Sequence, residues 1–366
     1  MAKEKELFEE EKTKKEEKKK QENKFKPGIG IDVGTSTIVV TRQLEDGTFT
    51  NKFHRDMLFQ LDASEESDDL LQRGDYLCVK TNDKYYVVGE DALKLANAIG
   101  KSEDIVRPMQ SGILNPSLST SSELLFFIIK ALCGEPLIEK EPLRFSIPAN
   151  PIDKNLDNRF HQMVLANFFT KLGYDAKPVN EAMALAYDCN PVIKEDEGEI
   201  SLSGMSLSFG GGMINVALLY KGLELDSFSI TSSGDAIDAS TSQVTGVPVA
   251  NVIKIKERKL KLDNVDTSDR VQQALSIFFD EMIERVVKSI TTKFKDKKSE
   301  MDGKIEIVIG GGTSLNSGFV GRLEEGFKKS KIPFEILRIR HSENPFYSVS
   351  QGACIRAQAD YAKINK

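Results

Sequence analysis

Residues 28–40 read Gly28-Ile29-Gly30-Ile31-Asp32-Val33-Gly34-Thr35-Ser36-Thr37-Ile38-Val39-Val40. Apolar residues run in and β-branched residues run out, which predicts a β-hairpin bent around Asp32 to Ser36. Gly34 permits a tight turn, and the backbone N–H groups of Gly34, Thr35 and Ser36 then form a concave nest suited to a phosphate. Asp32 stands at the mouth of that turn, where a carboxylate holds a hydrated Mg2+ beside the phosphate. A Gly-Thr-Ser turn alone is more often only a turn. Its weight comes from two further turns, Gly210-Gly211-Gly212 after the run Met205 to Phe209 and Gly310-Gly311-Gly312 after the run Ile305 to Ile309. Three such backbone cradles in one chain point to a phosphate-bearing ligand.

The composition narrows the chemistry further. The chain has 366 residues, 40% hydrophobic and 29% charged, enough for two domains with sizeable cores. A net charge of −6 offers no footprint for nucleic acid. The four cysteines, Cys78, Cys133, Cys189 and Cys354, are widely spaced and read as reduced thiols of a cytoplasmic protein. The three histidines, His54, His161 and His341, have no partner at metal-ligand spacing, so neither zinc nor a histidine triad is expected. No apolar run spans a bilayer and no signal peptide opens the chain.

The elements that must position these turns are read in chain order. Residues 1–27 are a Lys/Glu tail, expected to be disordered, with Leu7, Phe8 and Phe25 as its large apolar residues. It carries no apolar stripe, which argues against direct membrane binding. After the hairpin, the runs between Tyr76 and Val88 alternate like strands and a helix starts near Gly89. Thr120-Ser121-Ser122-Glu123 has the spacing of a capping box for a helix to Leu132. The run Leu143 to Pro148 predicts a buried strand, followed by a helix over 153–172 and a strand over 176–179. The small-residue run from Asn180 to Tyr187 predicts a helix packed closely on a sheet. Strands are then expected over 205–209, 214–220 and 223–231, helices over 235–260 and 268–295, a strand over 305–309 and another over 334–339, and a last helix over 347–361.

Two glycine-turned hairpins, each opening an α/β unit, form an internal repeat. The repeat predicts an α/β protein of two like-folded domains facing each other across a ligand cleft. The first domain is placed at 28–180, with a small inserted subdomain at about 50–100. The second is placed at 181–366, its last helix packing back toward the first.

At this point the motifs resemble a known family. Ile31-Asp32-Val33-Gly34-Thr35, the turn at 210–212, Ser233-Gly234-Asp235 and Gly310-Gly311-Gly312-Thr313-Ser314 follow the order and spacing of the actin-like ATPase superfamily. The chain looks most like its MreB/MamK branch. Arg107-Pro108-Met109-Gln110-Ser111-Gly112-Ile113 resembles the arginine-proline-methionine loop of MreB, and Asn180-Glu181-Ala182-Met183-Ala184 the connecting helix shared by MreB and DnaK-type chaperones. Asn344-Pro345 followed by Gly352-Ala353 resembles their C-terminal helix. The resemblance implies two actin/ribonuclease-H-like domains and ATP with Mg2+ in the cleft. It implies Gly34, Thr35 and Ser36 on the β-phosphate, and Gly210, Gly211 and Gly212 on the β- and γ-phosphates. Gly234 and Asp235 are implied near ribose and phosphates, Lys256 near the adenosine, and Gly311, Gly312 and Ser314 on the adenine side. Asp32 would hold Mg2+ through water, and Glu181 matches the acidic residue that contacts metal-bound water in the chaperones.

The chain departs from this pattern in the second phosphate motif, which in the family reads Asp-x-Gly-Gly-Gly-Thr with an acidic or polar residue two positions on. Here Ser208, Met213 and Asn215 stand at those positions. Serine keeps a hydrogen bond but no charge, and methionine cannot bond a phosphate. Hydrolysis is therefore expected to be slow or absent, unless Glu181 or a carboxylate near Asp153 and Asp157 substitutes. The function implied is an ATP-binding, MreB/MamK-type cytoskeletal protein that self-associates into filaments with its nucleotide. The alternative is a monomeric DnaK-like nucleotide switch or pseudo-ATPase acting through a partner protein.

Overall fold

The first half of the chain is built on a sheet whose middle strand carries Asp32. A computed structural model describes residues 25–364, apart from 82, 102–103, 116, 119, 190–193, 196–197, 200 and 302; residues 1–24 of the charged tail thus lie outside the described residues. Strands β1 (Phe25–Val33), β2 (Thr37–Leu44) and β3 (Phe49–Arg55) form an antiparallel meander. β1 starts inside the stretch assigned to the tail, because Phe25 pairs with Leu44. An excursion follows: β4 (Leu58–Asp62), α1 (Glu65–Gly74), β5 (Cys78–Thr81), β6 (Lys84–Val88), α2 (Glu90–Ala98) and β7 (Ile105–Val106). Its strands form a separate sheet in the order β5-β6-β4-β7.

A short hairpin, β8 (Met109–Gln110) and β9 (Ile113–Leu114), comes next. Its turn residues Ser111 and Gly112 have φ of +49° and +74°. Two successive left-handed residues are the signature of the tight turn whose twist matches a hairpin. Helix α3 (Ser121–Cys133) follows, then β10 (Pro142–Ile147), α4 (Arg159–Lys171), β11 (Asp175–Asn180) and α5 (Glu181–Asp188). β10 joins β1 in parallel and β11 joins β10, giving the order β11-β10-β1-β2-β3.

The second half repeats this plan. After a two-stranded ribbon, β12 (Lys194–Glu195) and β13 (Gly198–Glu199), come β14 (Gly204–Phe209), β15 (Ile214–Tyr220) and β16 (Leu223–Ile230), again an antiparallel meander. Helices α6 (Gly234–Thr245), α7 (Val249–Arg258) and α8 (Arg270–Lys293) lead to β17 (Lys304–Gly310), α9 (Phe319–Lys329), β18 (Glu335–His341) and α10 (Ser348–Ile364). β17 joins β14 in parallel and β18 joins β17, so the order is β18-β17-β14-β15-β16. The two sheets share one topology, and the expected repeat is present strand for strand.

Three expectations about helices differ from the structure. The helix over 153–172 begins at Arg159, because the preceding segment is tied to β16: Pro151 bridges to Ser229, and Asp153 accepts hydrogen bonds from the Thr231 backbone and hydroxyl at 3.0 Å. The helix over 235–260 is two helices, broken at Gly246 (φ +71°) and Pro248. The capping box at Thr120 is not formed: Thr120 has φ −94° and ψ 8°, and its side chain caps nothing, since a cap needs extended backbone there.

Each half has its own core. In the second, α8 buries Leu275, Phe279, Met282, Val286 and Ile290 on its inner face, the three-and-four spacing of an amphipathic helix. The halves are joined by two helices. α5 leaves β11 of the first sheet and packs on β14, where the Ser206 hydroxyl donates to Ala182 O at 2.6 Å. α10 leaves the second sheet and packs on β1 and on α5, and glycine makes both of these contacts tight. A Cβ on Gly30 would stand 2.1 Å from Ser350 O, and one on Gly352 would stand 1.7 Å from Ala184 O.

On α4, His161 is 2% exposed and neither ring nitrogen has a hydrogen-bond partner; burial pulls its pKa down to about 4. The unfolded chain takes up a proton near the ordinary value and the folded chain does not. The histidine's contribution to stability is therefore lost as pH falls from about 6.5 toward 4. His161→Leu is expected to raise stability by about 1–2 kcal/mol at pH 7 and by more at pH 5, since it removes an unpaired buried polar group. Urea midpoints of both chains at the two pH values check this.

Candidate active cleft

The two glycine-turned hairpins meet face to face. The first turn lies between β1 and β2, the second between β14 and β15. Gly210 N–H donates to Met213 O at 3.0 Å and closes the second turn. A Cβ on Gly211 would stand 2.0 Å from Ser36 Oγ, and one on Gly212 would stand 2.2 Å from Thr35 Oγ1. The third turn closes behind them, with Gly311 at φ +90°, where a Cβ would stand 2.4 Å from Phe209 O. Thr313 Oγ1 donates to Gly210 O at 2.8 Å, and the Ser233 hydroxyl donates to the same oxygen. All three turns therefore converge on one junction.

A cavity of about 840 Å3 opens from this junction. Ser36, Gly211, Lys256 and Gly312 line it, along with Asn316 and Phe346. The size suits a nucleotide-sized ligand. Other anticipated residues lie at its back: Gly34 shapes the first turn, Gly234 opens α6, and Ser314 is buried, its hydroxyl donating to Gly311 O at 2.8 Å. Lys256 reaches along the wall but is committed, its Nζ donating to Asp238 at 2.6 Å and to Gly234 O at 3.3 Å. Phe53 meets Phe346 edge to face at 5.4 Å, an aromatic wall on the same cavity. At the rim, Arg55 of β3 donates to Glu90 at 2.6 Å and forks onto both Glu257 oxygens at 2.7 and 3.1 Å, tying the first half to α7.

A half-buried carboxylate, Asp32, and a buried one, Glu181, stand beside the turns. Asp32 accepts the Ser146 hydroxyl at 2.7 Å, and that hydroxyl accepts Val33 N–H at 2.9 Å. Burial pushes the Asp32 pKa up to about 6 despite that bond. Glu181 accepts Asn215 Nδ2 at 2.7 Å, while Asn215 Oδ1 accepts Ala149 N–H at 2.9 Å. Burial, and next the charge of Asp32, hold Glu181 well above the carboxylate range. Glu181 does not cap its helix; Asn180 does, accepting from the Ala182 and Met183 N–H groups at 2.9 and 3.2 Å. Ser208 pairs with Asn215 across β14 and β15, which places it at this acidic pair. Asp153 is held by Thr231, and Asp157 is exposed on Arg159 at 2.6 Å. The donor set fits a hydrated Mg2+: hard carboxylate oxygens from Asp32 and Glu181, whose mutual repulsion a divalent cation relieves, with water and phosphate completing the shell. The glycine turns likewise fit phosphates.

Sequence reasoning missed Asp56 and the partner of Arg107. Arg107 donates to Asp235 Oδ1 at 3.0 Å, and Ser36 Oγ donates to the same oxygen at 3.1 Å. Asp56 is fully buried, accepts Met109 N–H at 3.0 Å through Oδ2, and leaves Oδ1 without a partner. Arg55-Asp56-Met57 carries no local signal of this.

Comparison with known proteins agrees with the geometry. Among solved structures, the chain superposes on a MamK double helical filament with TM-score 0.65 at 16% identity, covering 90% of this chain and 98% of that one. It superposes on MreB 5 of Spiroplasma citri bound to AMPPNP with TM-score 0.64 at 14% identity, covering 93% and 98%. The ethanolamine utilization protein EutJ of Carboxydothermus hydrogenoformans follows at 0.53 and 12%, covering 91% and 90%. The fold is therefore that of the actin-like ATPases. No curated protein sequence matches the chain. A family model described as Volactin matches residues 28–357, and the chain belongs to the Volactin family.

Proposed function

We propose that this chain is an actin-like protein that binds ATP with Mg2+ in the cleft, self-associates into filaments in a nucleotide-dependent way, and hydrolyses ATP slowly or not at all. The observation that carries the reading is the convergence of three glycine cradles on one cavity beside Asp32 and Glu181. A similar fold solved as a MamK double helical filament supports the assembly half, and one solved as MreB 5 bound to AMPPNP supports the nucleotide half. Slow turnover is supported by Ser208 at the acidic pair and by Met213, which is buried against Gly112. In this reading Gly34, Thr35, Ser36 and Gly210 to Gly212 hold phosphates, Gly234, Asp235 and Lys256 flank ribose and adenosine, and Gly311, Gly312 and Ser314 shape the base side. Mg2+, when bound, would neutralise phosphate charge; Asp32 would hold it through water, and Glu181, fixed by the bond from Asn215, would contact that water.

The test is sedimentation of purified protein with Mg-ATP or a non-hydrolysable analogue, with released phosphate assayed in the same tube. Nucleotide-dependent pelleting with little phosphate supports the reading. A soluble monomer that binds nucleotide refutes filament assembly and leaves a partner-operated switch. Rapid phosphate release refutes the role given to Ser208.

A pH dependence follows. Mg2+ needs Asp32 ionised, and burial places its pKa at about 6. The Mg2+-dependent part of nucleotide affinity is expected to fall about fourfold between pH 7.5 and 5.5, as the ionised fraction drops. The stability of the empty protein moves the other way, since a raised carboxylate costs stability as pH rises through its folded value. Titration of nucleotide with and without Mg2+ at both pH values checks the first statement, and Asp32→Asn is expected to abolish the dependence.

A further inference from the structure

Hairpin β8–β9 is wedged between the two phosphate turns and is fixed at both ends. At its tip, Gly112 N–H donates to Thr35 Oγ1 at 2.9 Å, and a Cβ on Gly112 would stand 2.9 Å from Met213 Sδ. At its base, Arg107 pairs with Asp235, whose own N–H donates to Gly211 O at 2.8 Å. Met109, 0% exposed, donates its N–H to Asp56, and the Asp56 N–H donates to Ser36 O at 3.0 Å. Asn115 stiffens the hairpin, its N–H donating to Pro108 O at 2.7 Å and its side chain to Arg107 O at 3.1 Å.

The base is a charge cluster with an odd count. Asp235, Asp238 and Asp56 face Arg107 and Lys256. Burial raises Asp235, but the charges of Arg107 and Lys256 and the bonds from Arg107 and Ser36 outweigh it and hold the carboxyl below its ordinary value. Burial pushes Asp56 up to about 8, with Arg107 opposing. Arg107 makes its hydrogen bond to Asp235, while Asp56 takes its bond from the Met109 N–H. An unneutralised carboxylate at Asp235, beside Gly211, would repel a phosphate held by the same turn.

We infer that hairpin β8–β9 is a wedge that registers the two phosphate turns, and that Arg107 is its positioning residue: by holding Asp235 it sets how fast bound nucleotide leaves. The inference rests on the nucleotide reading of the cleft. It gives the loop carrying Arg107 a duty inside the subunit. It also gives Met213 a purpose, since the side chain that replaces a phosphate-bonding threonine is the seat of the wedge tip.

The experiment uses the full chain, a fluorescent ATP analogue with Mg2+, and a chase with excess unlabelled ATP. Arg107→Ala is expected to speed release at least ~10-fold, with association changed less than about twofold, because an affinity loss of this kind appears mainly in the off-rate. Arg107→Lys keeps the charge but not the planar guanidinium that reaches Asp235, and is expected to fall between, which a merely structural role would not order. If Arg107→Ala does not fold, the lysine variant alone carries the comparison. A second readout needs no nucleotide: spin labels on Lys94→Cys and Gln243→Cys, in a Cys78→Ser background, report the distance between α2 and α6. Arg107→Ala is expected to lengthen and broaden that distance. A folded Arg107→Ala chain with wild-type release and wild-type distances overturns the wedge. A wild-type chain that binds no nucleotide overturns the reading of the cleft, and the label distances then decide the wedge by themselves.

Discussion

Gly211→Val is expected to weaken nucleotide binding at least ~100-fold, a loss of about 2.7 kcal/mol or more, while the protein stays folded. Gly211 sits where the second phosphate turn meets the first, and its side-chain position is already filled by Ser36 Oγ at 2.0 Å and approached by Asp235 Oδ1 at 3.3 Å. The Ser36 hydroxyl can turn away, but Ser36 Cβ, 2.9 Å from the same position, cannot, so the two turns must shift slightly apart; Gly211 does not have a left-handed φ, and no forbidden backbone conformation is forced. What is lost is the close approach of backbone N–H groups to phosphate, which a branched side chain blocks. Titration with a fluorescent ATP analogue measures the loss, and thermal unfolding shows that the fold survives. Gly321→Ala on α9 is the matched control, because nothing lies within 4 Å of its added methyl group. It is expected to bind as the wild type does.

The second large effect is expected from Ser208→Asp. Ser208 is 2% exposed and faces Asn215, which already bonds Glu181. A carboxylate there is the third acidic group beside Asp32 and Glu181, at a buried position. The empty protein is expected to lose about 3–5 kcal/mol when that group is ionised, the cost of an uncompensated buried charge. Mg-ATP is expected to return much of this stability and phosphate release to rise at least ~10-fold, since charge placed at the reacting phosphate dominates such chemistry. Unfolding with and without Mg-ATP, together with phosphate assays, reads both halves. Destabilisation with no gain in turnover, under conditions where nucleotide is bound, would mean that the hydrolytic deficit lies elsewhere.

These effects turn on residues that were visible in sequence to unequal degrees. The glycine turns are local: three or four neighbouring residues specify strand, turn and nest, so all three cradles could be read before their convergence was seen. The repeat was readable for the same reason, each hairpin announcing itself by alternation and glycine. The break between α6 and α7 was written in Gly246-Val247-Pro248, and the helical periodicity on either side masked it. The late start of α4 was not written locally, because Pro151 and Asp153 are held by β16, more than seventy residues away. The same holds for the chemistry. Ser146 reaches Asp32 across 114 residues and Arg107 reaches Asp235 across 128. Asp56 owes its raised pKa first to burial and then to the charge of Asp235, and a lone aspartate between an arginine and a methionine looks like any surface residue. Backbone cradles are encoded nearby; the charges that tune them are assembled by topology.

Equilibrium titration of the wild-type chain with a fluorescent ATP analogue in Mg2+, followed by displacement with unlabelled ATP, tests the central claim most directly. Saturable micromolar binding that unlabelled ATP reverses, and that Gly211→Val removes, is the predicted result. Absence of saturable binding up to millimolar analogue, from a chain that unfolds cooperatively, would contradict it.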